Sequence, residues 1–323
     1  MLAGCARRPA APSARPRVLI GEHPRSSVAP LYLAADAGYF AEEGVDVVFE
    51  RLDIANSASL AALIHGDIDA SLATPRASLL NAIARGAKVR VVAGEGYLAR
   101  DACPQFAWVV PRKWLGADGS FDAKRLRGAR ARYDPMSYGA FETSRALASV
   151  GLTLDDLQKA PIPMELIPSA IQHGDVDFAL LPTLQLNKTL GSGRVVIWKK
   201  VADVMPDAPI FSLVFSTRLL ERERETGVRV LVAYLRAVRE LRREWSARVV
   251  EILARRFQIS PEDVRAECWP SFRPDGRVEE RYWTEFEEWV HSQNGLDRVL
   301  KPEEFVDTSL LAEANRRLAS RRD

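Results

Sequence analysis

Two stretches carry the side chains that proton transfer or metal binding would need: His65-Gly66-Asp67-Ile68-Asp69 and His173-Gly174-Asp175-Val176-Asp177. An imidazole and two carboxylates within five residues are plausible donors for a metal ion. Their flanks point elsewhere. Each copy follows a short helical pattern and precedes an apolar run. Glycine permits the left-handed backbone that ends a helix. The first Asp suits a turn, where its oxygens accept local amides, and the second opens a strand. Both copies therefore read as helix-to-strand corners. A metal site of His65, Asp67 and Asp69 lacks a supporting cluster, so no metal is expected. No Ser-His-Asp order, zinc spacing or Gly-rich phosphate loop is present, and the four histidines are scattered. The chain is expected not to be an enzyme and to carry no cofactor.

The corners repeat because the pattern around them repeats. Strands are expected over 17–21, 45–49, 68–72 and 88–93, alternating with helices over 30–43, 57–65 and 75–85. After a break at 111–128 the alternation restarts. Strands are expected over 129–133, 164–167, 178–181 and 195–198, with helices over 138–150, 169–173 and 183–190. A strand over 210–216 follows, then helical periodicity over 228–243, 247–257, 261–268 and 278–291. Alternating strand and helix argues for parallel βαβ units with helices packed on the sheet. The expected organisation is a tether over 1–16, a first lobe over 17–112, a second lobe over 113–208, and a return to the first lobe with a helical tail over 209–323. Chain crossings are expected near 111–127 and 199–209.

The length of 323 residues is comfortable for two α/β lobes. Apolar residues make up 47% and charged residues 27%, enough for a sizeable core, and the formal net charge is only +2. No basic run is interleaved with stacking aromatics, so no nucleic-acid partner is expected. A monomer is expected. Of the three cysteines, Cys103 and Cys268 lack metal-ligand spacing, and whether they pair is left open. The opening Met1-Leu2-Ala3-Gly4-Cys5 resembles a bacterial lipobox, with Cys5 as the lipidated residue and the Pro/Ala/Arg stretch behind it as a flexible tether. That implies an extracytoplasmic, membrane-anchored protein.

The segment Ala35-Asp36-Ala37-Gly38-Tyr39-Phe40-Ala41-Glu42-Glu43-Gly44-Val45-Asp46-Val47 resembles a stretch of the solute-binding proteins for alkanesulfonates, taurine, nitrate and thiamine-type pyrimidines. The Gly66–Asp69 corner, the run 85–92, Phe272-Arg273-Pro274-Asp275-Gly276 and Phe305-Val306-Asp307 are similar to that family too. The resemblance spans roughly 17–310. It implies an α/β, two-lobed, periplasmic-binding-protein-like (type II) fold with a central cleft and a helical C-terminal tail. It also implies an ABC permease and its ATPase as partners. A pyrimidine synthase shares the superfamily, which makes an enzyme of thiamine-precursor synthesis the alternative. Its Cys-rich loop is not found here.

Ligands of open α/β sheets bind beyond the carboxyl ends of the strands. That rule selects Ser26 and Ser27, Asn56, Thr74 and Arg76, Glu95 and Tyr97 in the first lobe, with Tyr133, Ser137, Tyr138 and Thr183 in the second. Ser137 and the amides after it could meet an anion or serve as an ordinary helix cap. Arg76 could pair with an oxyanion, and the tyrosines could stack on a ring. Glu95 discriminates best. In the cleft it would accept ring or amino N–H groups and favour a heteroaromatic solute, whereas an outward Glu95 leaves a sulfonate open. Aromatics outnumber cations in this set, so a heteroaromatic solute is expected.

Overall fold

The computed structural model describes residues 15–22, 26–52, 57–243 and 245–321. Among these described residues there are ten strands: β1 Arg17–Glu22, β2 Asp46–Arg51, β3 Ala70–Ala73, β4 Arg90–Tyr97, β5 Phe106–Pro111, β6 Arg130–Arg132, β7 Gln158–Lys159, β8 Phe178–Pro182, β9 Val195–Lys200 and β10 Pro209–Phe215. They form two five-stranded sheets, ordered β2-β1-β3-β10-β4 and β7-β6-β8-β5-β9. The two orders match position for position. In each, one strand delivered by a crossing is inserted antiparallel: β10 between β3 and β4, and β5 between β8 and β9.

The doubled corner explains the match. Gly66 and Gly174 take φ of 84° and 82°, the left-handed region that ends each helix. Asp69 donates its N–H to Leu19 O at 2.8 Å, and Asp177 donates its own to Arg130 O at 2.8 Å. The carboxylates reach back to the same strands. Asp69 Oδ2 accepts the Leu19 N–H at 2.9 Å and Arg218 Nη1 at 2.9 Å. Asp177 Oδ2 accepts the Arg130 N–H at 3.1 Å and Arg130 Nε at 2.9 Å. Both imidazoles are solvent-exposed. The second Asp is thus a strand clamp backed by an arginine in each lobe.

Three expectations need correction. The first crossing lies at 98–105 and not at 111–127, because β5 already belongs to the second sheet. Residues 164–167 are not a strand: Met164–Leu166 is a 3-10 turn running into the helix Ile167–His173, with Pro168 in its first turn. The pattern over 30–43 is two helices, Ala29–Asp36 and Tyr39–Glu42, broken where Gly38 takes φ of 85°. The second crossing lies between β9 and β10.

The tail binds both lobes. The 20-residue helix Arg224–Arg243 buries Val228, Leu231, Leu235 and Val238, each contributing about 1.5–3 kcal/mol. Tyr234 on that helix donates its hydroxyl to Gly94 O at 2.6 Å, over β4. Further on, a disulfide joins Cys268 to Cys103 in the first crossing, and Tyr97 N–H bonds Ser271 O at 2.8 Å. The helix Glu280–Ser292 then meets the second lobe. Phe286 lies 5.7 Å from Tyr138 and 5.8 Å from Phe141, and Trp289 lies 5.7 Å from Phe141. Beyond it the chain returns to the first lobe, where Asn81 Nδ2 donates to Gly295 O at 2.9 Å and Arg85 pairs with Asp297 at 2.8 Å.

Gly94 makes room for this tail. A Cβ there would sit 2.6 Å from Arg277 O, while Gly94 N–H bonds Gly276 O at 2.8 Å. Gly94→Ala is therefore expected to destabilise the protein by about 1–3 kcal/mol, read as a lower urea midpoint. An unchanged midpoint would show that the tail does not dock on β4 in solution.

Candidate functional site

A cavity of 310 Å³ lies between the lobes. The first lobe contributes Ser26, Ser27, Ile210 and Phe211, and the second contributes Phe106, Pro182, Thr183, Leu184 and Gln185. Gln105 enters from the crossing, and Phe257, Ile259, Glu267 and Trp269 enter from the tail. Local folding places each group. Ser26–Val28 is a turn that leads into the helix Ala29–Asp36 at the carboxyl end of β1. Ser27 is 1% exposed and its hydroxyl has no hydrogen-bond partner among the described residues. A buried hydroxyl left unpaired is unfavourable, so a solute that bonds it gains specificity. Thr183 opens the helix Thr183–Leu190, and its N–H and hydroxyl both donate to Gln105 O, at 3.0 and 3.1 Å.

The aromatic wall is held from behind. Trp269 Nε1 donates to Val264 O at 2.6 Å. Its ring packs 5.1 Å from Trp245 and 5.5 Å from Phe257, which in turn lies 5.4 Å from Tyr32. The Gln105 amide nitrogen donates to Cys268 O and lies 2.9 Å from Cys268 Sγ. The disulfide and this amide therefore fix residues 267–269 against the crossing. Among the described lining residues Glu267 is the one ionisable group. Burial pushes its carboxyl up, and the Cys268 N–H that it accepts partly offsets this.

Of the residues selected from sequence, the structure gathers Ser26, Ser27 and Thr183 around this cavity. A second set meets elsewhere along the lobe boundary. Arg76 and Ser137 form an antiparallel backbone bridge between the lobes. Ser137 is the N-cap of the helix Tyr138–Ala148: its hydroxyl oxygen accepts the Ala140 N–H at 3.1 Å and donates to Asp134 O at 2.6 Å. Burial pulls the Arg76 guanidinium pKa down. Arg76 faces a small cavity with Ser59, Leu63 and Ser71. Tyr138 is 6% exposed in the aromatic contact with Phe286, and burial holds its hydroxyl well above the usual range. Thr74 is half-buried in the loop after β3.

The remaining candidates lie apart from the cavity. Glu95 does not reach solvent and is not among the residues lining the cavity, although its cross-strand partner Phe211 is. It is 0% exposed, it faces Phe211 across the β4–β10 ladder, and both carboxylate oxygens lack a hydrogen-bond partner among the described residues. Burial drives its pKa well up. Tyr97 lies 4.2 Å under the Arg273 guanidinium. Tyr133 is half-buried, and burial, then Asp155, raises its pKa. Asn56 and Cys5 lie outside the described residues. Sequence reasoning missed Gln105, Phe106, Gln185, Phe211, Phe257, Glu267 and Trp269. The available signal was Cys103 with Cys268, whose pairing carries the crossing and the tail to one place.

Among the described residues no group of three His, Cys, Asp or Glu side chains is arranged to hold a metal. Among them also, no helix is long and apolar enough to cross a membrane.

The model of the NMT1-like family matches residues 11–254. No curated protein matches the chain. Among solved structures, the putative sulfonate ABC transporter periplasmic sulfonate-binding protein SsuA from Methylobacillus flagellatus KT is 15% identical with a TM-score of 0.73, covering 95% of this chain and 96% of that one. The periplasmic nitrate-binding protein NrtA from Synechocystis PCC 6803 is 14% identical at a TM-score of 0.69, covering 95% and 90%. DszB in complex with biphenyl-2-sulfinic acid is 14% identical at 0.62, covering 94% and 99%. At these identities the likeness is one of fold, and the fold is that of the periplasmic binding proteins.

Proposed function

The chain belongs to the NMT1-like family, and from that premise we infer that it is the substrate-binding component of a bacterial ABC importer. It captures a small heteroaromatic solute, such as a thiamine-type pyrimidine, between its lobes and delivers it to a permease and its ATPase. One observation carries this reading: an inter-lobe cavity of 310 Å³ walled by Phe106, Phe211, Phe257 and Trp269. Flat aromatic walls with a few hydroxyl and amide groups suit a ring that must be both stacked and hydrogen-bonded. Ser26 and Ser27 are the site's hydroxyl donors, and Thr183, whose N–H and hydroxyl are directed to Gln105 O, can offer its oxygen as an acceptor. A sulfonate is the next solute in order. It has the support of the sulfonate-binding neighbour, but among the described lining residues no arginine or lysine would pair with it.

The disulfide fits an oxidising compartment, so the protein works outside the cytoplasm, tethered through Cys5. The alternative is an enzyme of pyrimidine synthesis, and DszB shows the fold accommodating a sulfinate ligand. The lining argues against it: the described residues there include no histidine, lysine or free thiol.

Native mass spectrometry of gently purified protein is expected to show a co-purifying aromatic solute, and deletion of the gene is expected to abolish uptake of that solute. A chemically altered solute released with turnover would replace the importer reading with the enzymatic one. Trp269→Ala should weaken binding of the co-purified solute about tenfold to hundredfold, measured by calorimetry. An unchanged affinity would move the site away from this cavity.

A further inference from the structure

We propose that Glu267 sets the charge of the solute: the cleft selects a flat ring bearing a protonated nitrogen and turns away oxyanions. This rests on the cavity being the solute site, as inferred above. Glu267 is half-buried beside Trp269, and among the described residues it has no cationic partner. A carboxylate withdrawn from water without a counter-charge is unfavourable until a cation arrives. A bound sulfonate would instead sit beside a like charge.

The hydrogen-bond donors agree. An oxyanion needs several donors, yet the Thr183 hydroxyl and N–H are directed to Gln105 O. The Gln105 amide nitrogen is directed to Cys268 O. Among the described lining residues that leaves the hydroxyls of Ser26 and Ser27 and the Gln185 side chain, too few to replace the water around a sulfonate. A protonated ring needs one well-placed acceptor and a stacking face. Glu267 and Trp269 supply both from adjacent sides of Cys268, whose disulfide to Cys103 fixes their position.

Calorimetric titration of the full chain with three probes of one ring size tests the proposal: benzamidine (cationic), benzamide (neutral) and benzenesulfonate (anionic). Benzamidine is expected to bind about tenfold or more tightly than benzamide, with benzenesulfonate weakest. Glu267→Gln should bring benzamidine down to the affinity of benzamide while benzamide still binds. Rescue of the benzamidine preference by Glu267→Asp would separate charge from shape. Equal binding of benzamidine and benzamide, an indifferent Glu267→Gln, or failure of all three probes to bind overturns the proposal. Benzenesulfonate binding tightest also overturns it, but leaves the importer reading standing. The importer reading falls separately, if no solute co-purifies and the deletion strain loses no uptake.

Discussion

Cys103→Ser/Cys268→Ser unfolds at a lower denaturant concentration than the parent, with a loss of about 2–4 kcal/mol in stability, and binds its solute more weakly. The bridge spans 165 residues of sequence, a span that contains the whole second sheet. Closing so long a loop restricts the unfolded chain far more than the folded one, where the two segments already lie together. In the folded state the bridge has a local task. It holds Cys268 where the Gln105 amide can reach it, and so holds Glu267 and Trp269 at the cavity. Urea unfolding with and without reductant measures the first effect, and calorimetry with the co-purified solute measures the second. A reduced protein with the parent's midpoint and affinity would mean that the aromatic packing of Trp269 holds the tail unaided.

Glu142→Gln removes most of one pH-dependent loss of stability. Glu142 lies on the helix Tyr138–Ala148, is 6% exposed, and its carboxyl is pushed up to about 8 by burial. Its folded pKa is above the unfolded one, so its contribution is fully present below the unfolded value and is lost as pH rises through about 8. The parent should therefore weaken from mildly acidic to mildly alkaline pH, by an amount on the order of 3–5 kcal/mol from this residue. Glu95, raised by burial alone, acts in the same direction. Glu142→Gln should flatten the profile in part, and Glu142→Gln/Glu95→Gln further. Urea midpoints at pH 5.5 and 8.5 decide the matter: parallel profiles for parent and variants would mean that neither carboxylate is buried in solution.

The two-lobed plan is legible because local chemistry repeats. Gly66 and Gly174 end helices, Asp69 and Asp177 begin strands, and those residues alone locate equivalent points of two sheets. The strand Phe106–Pro111 is not legible in that way. It is buried on both faces, so it lacks the alternation that marks a half-exposed strand, and it follows a turn-rich stretch. The strand assigned to 164–167 fails for the opposite reason: Pro163 and Pro168 bracket an apolar run that is a helical entry. At the site, the rule of searching beyond strand ends finds Ser26, Ser27 and Thr183. It cannot find Glu267 or Trp269, which follow no strand and flank a cysteine bonded to a residue 165 positions away. Glu95 illustrates the limit differently. It sits near a strand end and pairs with Phe211, a wall of the cavity, yet it is fully buried and does not line the cavity itself.

The helix Glu280–Ser292 touches the second lobe through Phe286 and Trp289, while the chain beyond it is bonded to Asn81 and Arg85 of the first. Those contacts tie the two lobes together through residues that do not line the cavity. On the importer reading proposed above, any parting of the lobes that lets solute out has to break them, which would lengthen the solute's residence.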